Sequence, residues 1–181
     1  MLKKQNIDWD RLGFNASKTR SMWVGDCLND EAWSRGALEP YGNINISPAA
    51  CVLNYAQGVF EGMKAYHTKK NRIVLFRPEM NANRMAESTE KMCIPIMVQD
   101  YFINAVKATT LDNIDFVPST SSNRMMSPGR MGKIDQNSTS THPILGMNSL
   151  YVKLSQVKEV EGEYDITYCF HVQSQIIDGS S

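Results

Sequence analysis

The stretch VLNYAQGVFEGMKAYHTKKNRIVLFRPEMNANRM, residues 52 to 85, decides the fold. Its second half is readable from spacing alone. RIVLF (72 to 76) is a short β-branched run that suits a strand, and the TKKN before it has the composition of a turn. Pro78 follows, a residue favoured in the first turn of a helix because its missing N–H would have no partner there. From Glu79 onward Ala82, Met85, Ala86, Thr89 and Met92 share one helical face. Pro95 disfavours a helical residue before it, so the spacing predicts a helix that stops near Cys93. The first half, GVFEGMKAY (58 to 66), fits two readings. Val59, Phe60 and Met63 match a helical face, while Gly62 weakens a helix and a strand entering from Met63 is equally compatible.

Working outward, SMWVGDC (21 to 27) is apolar enough for a strand. LEPYGNINISP (38 to 48) carries turn residues at Pro40, Gly42 and Pro48 around a short possible strand. Phe102, Ala105, Val106 and Thr109 predict a second helix over about 98 to 111. Residues 117 to 143 are rich in Ser, Thr, Gly, Pro and Asn with no period and are expected to form a long surface excursion, with 119 to 143 the stretch that proteases cut first, around Arg124 or Arg130. Order returns with SLYVKL (149 to 154) and YDITYCFHV (164 to 172). In the latter, Tyr164, Ile166, Tyr168, Phe170 and Val172 alternate with polar neighbours, which predicts a strand with one buried face. The expected architecture is α+β: a small sheet with two or three helices on one side, the helix from Pro78 packed on it because each apolar face needs a partner.

Composition removes several functions. Lys plus Arg is 19 and Asp plus Glu is 19, so no basic surplus exists to neutralise a nucleic-acid backbone. No apolar run approaches membrane-spanning length, and MLKKQNIDWDRL lacks the apolar core of a signal peptide and the character of a transit peptide. The four cysteines are widely spaced with no C-x-x-C pair, which reads as free thiols in a reducing compartment. His67, His142 and His171 have no metal-ligand spacing, and there is no G-x-S-x-G, P-loop or dinucleotide G-x-G-x-x-G. His171, on the more polar face of its strand, reads as a bystander.

Against that background LNYAQGVFEGMKAY followed by LFRPEMNANRM resembles the small N-terminal domain of the branched-chain amino-acid aminotransferases, pyridoxal-phosphate enzymes of fold type IV. IDWDRLGF and YGNINISPAACVLNY look like the plant and fungal branch; MCIP, YFINAVKAT and DFVP keep the family order. The resemblance is dense from about residue 7 to 118 and recovers at SLYVKL and EYDITYCF. It implies an aminotransferase small-domain core over 1–118, a low-complexity loop over 119–148, returning strands of the same domain over 149–175 and a tail over 176–181. Amino transfer between leucine, isoleucine or valine and 2-oxoglutarate is the reaction it implies. Arg84 matches the arginine that holds the cofactor phosphate; a guanidinium suits that task because its planar fork of donors never loses its charge. Read without the resemblance, Arg84 is a surface arginine paired with Glu87 along its helix. Tyr55, Phe60 and Tyr151 match aromatic residues lining the pocket for an aliphatic side chain, where binding is mostly apolar burial. For Phe60 taken alone, core packing is the simpler reading. After Tyr151 the family pattern of arginine and proline is replaced by Lys153 and Leu154.

The resemblance also implies what this stretch does not carry. The Schiff-base lysine and the acid at the pyridine nitrogen lie in the family's large C-terminal domain, which is absent from the matched region. Lys64 matches a position without a catalytic role, and Lys133 has no counterpart. A branched-chain aminotransferase relative, catalytically incomplete, is therefore expected; the alternative is a non-catalytic interaction module that pairs with a full-length aminotransferase, and the partners implied are a second copy as homodimer or a full-length homologue as heterodimer. Cytoplasm, plastid or mitochondrion are the compartments implied.

Overall fold

The computed structural model describes residues 17–29, 31–68, 70, 72–117, 149–161 and 165–177. The expected loop, 119–143, and Lys133 lie outside the described residues. The elements are β1 (Ser17–Lys18), β2 (Ser21–Leu28), β3 (Ala37–Pro40), α1 (Cys51–Tyr55), β4 (Gly58–His67), β5 (Ile73–Leu75), α2 (Pro78–Lys91), α3 (Gln99–Asp112), β6 (Ser149–Glu161) and β7 (Asp165–Ile177). Among the described residues the strands form one sheet in the order β3-β2-β7-β6-β4-β5, with β1 also paired to β7. Every pairing is antiparallel. The α+β expectation holds.

β4 resolves the ambiguity of residues 58–66: it is a strand throughout, starting at Gly58 rather than Met63. Pairing decides this. Gly58 to Ala65 are matched against Val157 to Leu150 of β6, and Ala65 to His67 against Leu75 to Ile73 of β5. One edge pairs with β6 over Gly58–Ala65 and the other with β5 over Ala65–His67, and these pairings with distant residues are what the local helical spacing could not anticipate. The two-residue period then turns Glu61, Met63 and Ala65 to one face and Phe60, Gly62 and Lys64 to the other.

α2 and α3 lie on the first of these faces. α2 begins with Pro78 in its first turn, after Arg77 in the left-handed region (φ 48°), and buries Asn81, Ala82, Met85 and Thr89. Cys93, at φ 53°, turns the chain away, and Pro95 follows. α3 buries Phe102, Ala105, Val106, Thr109 and Thr110. Together with Met63, Phe170 and Val172 these make the main core, so the helix from Pro78 does pack on the sheet that contains β7. Trp23, Trp33 and Tyr101 pack at its margin, the Trp23 and Tyr101 rings meeting edge to face at 6.2 Å. Gly25 is needed there: a Cβ at that position would collide with the Tyr101 hydroxyl.

Asn113, at the end of α3, ties helix to sheet. Its Oδ1 accepts from the backbone N–H of Arg20 (2.8 Å) and Ser21 (3.2 Å). Its Nδ2 donates to the carbonyls of Ser21 (3.0 Å) and Thr109 (2.8 Å). A fully buried amide is tolerated because both its ends are satisfied.

Three expectations need correction. The possible strand in 38–48 is the four residues Ala37–Pro40, all exposed, on a sheet edge where the missing N–H of Pro40 is tolerated. β7 does not have one buried face at its centre: Phe170 and Val172 are buried, but so is His171 between them, on the opposite face, at 4% exposure. β7 also runs on through Ile176 and Ile177, two residues into the stretch read as tail, because these pair with Leu150 and Ser149 of β6. The five-residue α1 had no periodic signal and was not expected.

Candidate functional site

The residues singled out for function cluster around β4 and its flanks. α1 ends when Ala56 adopts the left-handed conformation, φ 53° and ψ 27°. Gln57 then donates from Nε2 to the carbonyl of Met92 at 2.8 Å, fixing the α1–β4 junction to the end of α2. This leaves Tyr55, the last residue of α1, 79% exposed. Phe60 is 70% exposed, on the face of β4 turned away from α2. Core packing does not account for Phe60, since strand alternation presents it outward. Tyr151 stands in β6 opposite Lys64, which is four residues along β4 from Phe60, or about 13 Å at 3.3 Å per residue.

Arg84 occupies the other face. Its guanidinium donates from Nε to Glu61 Oε1 at 3.1 Å and from Nη2 to Glu61 Oε2 at 2.9 Å. The pair is bidentate and joins α2 to β4. Asn81, three residues before Arg84 and so on the same helical face, donates from Nδ2 to Glu61 Oε2 at 2.8 Å and to the carbonyl of Gly62 at 3.1 Å. The Glu61 side chain is 14% exposed and that of Arg84 54%. The hydrogen bond to Glu61 raises the guanidinium pKa further above its usual value; partial burial opposes this, and the charges of Glu61 and, last, Glu87 add to it. The partner of Arg84 is thus Glu61 rather than the helical neighbour Glu87. Glu61 was missed from sequence. Its only signal was the alternation with Met63, hidden while 58–66 could still be a helix.

Of the four residues picked out by sequence, Phe60 and Tyr55 share surface exposure, whereas Arg84 engages the helix side of the sheet. A pyridoxal phosphate has two ends to satisfy. At the phosphate end the fit is good: the Nη1–Nη2 edge of Arg84 has no hydrogen-bond partner among the described residues, on a side chain more than half exposed. At the aldehyde end Lys64 lies on the face of β4 opposite to Glu61 and hence to Arg84. Among the described residues no group of His, Cys, Asp or Glu could hold a metal ion. No helix among them is long and apolar enough to cross a membrane. Among the described residues Cys27, Cys51 and Cys93 form no disulfide, and the Cys27 thiol donates to the carbonyl of Glu31 at 3.0 Å.

The chain is 50% identical over 113 residues to the chloroplastic branched-chain amino acid aminotransferase 2 of Humulus lupulus, covering 62% of this chain and 28% of that protein. It is 48% identical over 112 residues to the chloroplastic branched-chain-amino-acid aminotransferase 5 of Arabidopsis thaliana, covering 62% and 27%. A methionine aminotransferase of the same plant is 35% identical over 116 residues. The chain therefore spans less than a third of the length of the first two relatives. Among solved structures, the branched-chain aminotransferase of Escherichia coli superposes with a TM-score of 0.54 at 14% identity, over 87% of this chain and 40% of that one. The pyridoxal-phosphate form of the Thermobaculum terrenum enzyme gives 0.53 over the same shares. The fold is the α+β small-domain arrangement of fold type IV aminotransferases. No family model matches the chain.

Proposed function

We propose that this chain forms the small-domain wall of a branched-chain amino-acid aminotransferase site and does not by itself carry out the reaction. Arg84 is the phosphate anchor; Tyr55, Phe60 and Tyr151 belong to the wall that receives the aliphatic side chain of leucine, isoleucine or valine. The observation that carries this reading is the exposure of Phe60 and Tyr55. Two aromatic side chains that core packing would bury are 70% and 79% exposed, in a chain that over 113 of its residues is 50% identical to a plant aminotransferase. Such surface is suited to an apolar partner across a cleft. When bound, pyridoxal phosphate supplies the electron sink for amino transfer. Arg84 contributes orientation and charge at its phosphate, and the aromatic wall excludes water from the substrate side chain.

The limit on activity is one of parts. A charge-assisted hydrogen bond is worth about 1.5–3 kcal/mol net, whereas a dissociation constant of 1 μM needs about 8 kcal/mol. One arginine cannot supply that, and on the resemblance Lys64 stands at a position without a catalytic role. The partners on this reading are amino and keto acids and a second, full-length aminotransferase chain that brings the lysine. The compartments named for the plant relatives, chloroplast and mitochondrion, are those proposed here.

The test is an assay of the purified 181-residue chain with leucine, 2-oxoglutarate and added pyridoxal phosphate. No turnover is expected, and borohydride should fix no cofactor to Lys64 or Lys133. Arg84→Ala should weaken the residual phosphate-dependent binding and Lys133→Ala should not. Turnover of leucine by the partner-free chain would overturn the reading.

A further inference from the structure

The geometry points to Glu61 as the positioning residue that makes Arg84 a phosphate seat. This rests on the reading of Arg84 as phosphate anchor and adds the residue that orients it.

An arginine side chain has two edges able to form a pair of parallel hydrogen bonds, one from Nε and Nη2 and one from Nη1 and Nη2. Glu61 takes the first edge, with Oε1 on Nε and Oε2 on Nη2 at 3.1 and 2.9 Å. The second edge therefore has a set direction, away from β4, and presents two donors side by side to an incoming pair of phosphate oxygens. Glu61 can impose this because it is itself held. It is mostly buried, strand alternation turns it under α2, and Asn81 donates to its Oε2 at 2.8 Å. Asn81 is buried and is fixed in turn by the Gly62 carbonyl at 3.1 Å. The chain of contacts runs from the backbone of β4 through Asn81 and Glu61 to the guanidinium.

Glu61 also cancels the charge of Arg84, and Glu87 lies near enough to act on the same guanidinium. The seat has no surplus of positive charge, so it attracts anions weakly at a distance. Its preference comes from two fixed donors at contact range, which favours a phosphate monoester with two oxygens to offer. Two roles for Glu61 thus make opposite predictions. If it were only a nearby negative charge, neutralising it would strengthen anion binding. As a positioning residue, neutralising or shortening it weakens binding.

The experiment is a titration of the 181-residue chain with pyridoxal phosphate, and in parallel with pyridoxal, at high ionic strength. It is followed by the arginine Nε–H signals in nitrogen-15 NMR, with the Arg84 signal assigned by its loss in Arg84→Lys. In the unaltered chain the Arg84 Nε–H should be sharp and slow to exchange, and pyridoxal phosphate but not pyridoxal should shift it. At ~0.5 M salt, where charge effects beyond ~4–5 Å are screened, Glu61→Gln should broaden that signal and weaken binding of the phosphorylated ligand by roughly three- to tenfold. Glu61→Asp, which keeps the charge but withdraws the carboxylate, should act in the same direction, and it serves as the test if Glu61→Gln does not fold. Equal or tighter binding in these variants would overturn the positioning role and leave Arg84 as anchor. A phosphate ligand that leaves the Arg84 signal of the unaltered chain unmoved would overturn the anchor itself, and the positioning role with it.

Discussion

On one face of β4, Met63 is buried beneath α2 and α3 and Ala65 is buried against Phe116 and Val117; on the other, Phe60 is 70% exposed. The two sets alternate along a single strand, so neither propensity nor neighbouring sequence separates them. What differs is the layer above. α2 and α3 bring Ala82, Met85, Phe102 and Val106 down onto the first face. On the second face burial is uneven: across the row from Phe60 through Ser155 of β6, His171 of β7 is buried while Phe60 is not. The helix side holds the domain together. On the far side, at the β4 end, Phe60 adds little to the core.

The sharpest way to break that contrast is a cavity under the helices. Phe102 is fully buried within the main core. Phe102→Ala should cost about 3–5 kcal/mol, from lost burial and the cavity left behind, read as a shift of the urea midpoint with little change in slope. A cost near zero would mean that the helix layer is not the core.

A middle-sized effect should come from His171, which lies on the far face yet is buried. Burial lowers its pKa below the usual histidine value. Below pH ~6.5 the unfolded chain then binds more protons than the folded one, so stability is held above that pH and lost as pH falls through it. The urea midpoint should drop between pH 7.5 and pH 5.5, and His171→Gln should flatten that part of the profile. Equal pH dependence in both would show that His171 is hydrated.

The smallest effect is expected at Phe60. Since its ring is mostly exposed, Phe60→Ala should change stability by no more than about 0.5 kcal/mol either way. Thermal unfolding measures this directly. A loss comparable to Phe102→Ala would return Phe60 to the core and remove the case for a substrate-facing wall.

Much of the fold was legible. α2 and α3 lie where their apolar spacing and flanking prolines placed them, because a helix partner is three or four residues away and the pattern is complete within one stretch. β4 was not legible. Val59, Phe60 and Met63 satisfy a helical face as well as a strand, and only β5 and β6 select between them. α1 is too short for a period to show. For the site, Tyr55, Phe60, Tyr151 and Arg84 came from resemblance, and nothing in composition would have chosen them. Glu61 came only from the structure, since its partners Asn81 and Arg84 lie 20 and 23 residues away on another element.

The amino-acid sequence by itself determined to within two residues where α2 and α3 begin and end, the presence of a strand within 72–76 and along the described part of 164–172, the lack of electrostatic support for nucleic-acid binding and the likeness to an aminotransferase small domain. Each of these depends on short-range spacing, on proline sterics or on summed composition. Tertiary structure alone decided that Gly58–His67 is a strand, that His171 is buried on the face expected to be open, that Phe60 is exposed and that Arg84 binds Glu61. These four depend on which distant segment arrives opposite. That is a property of the assembled sheet and of the helices laid on it, and no local window of residues contains it.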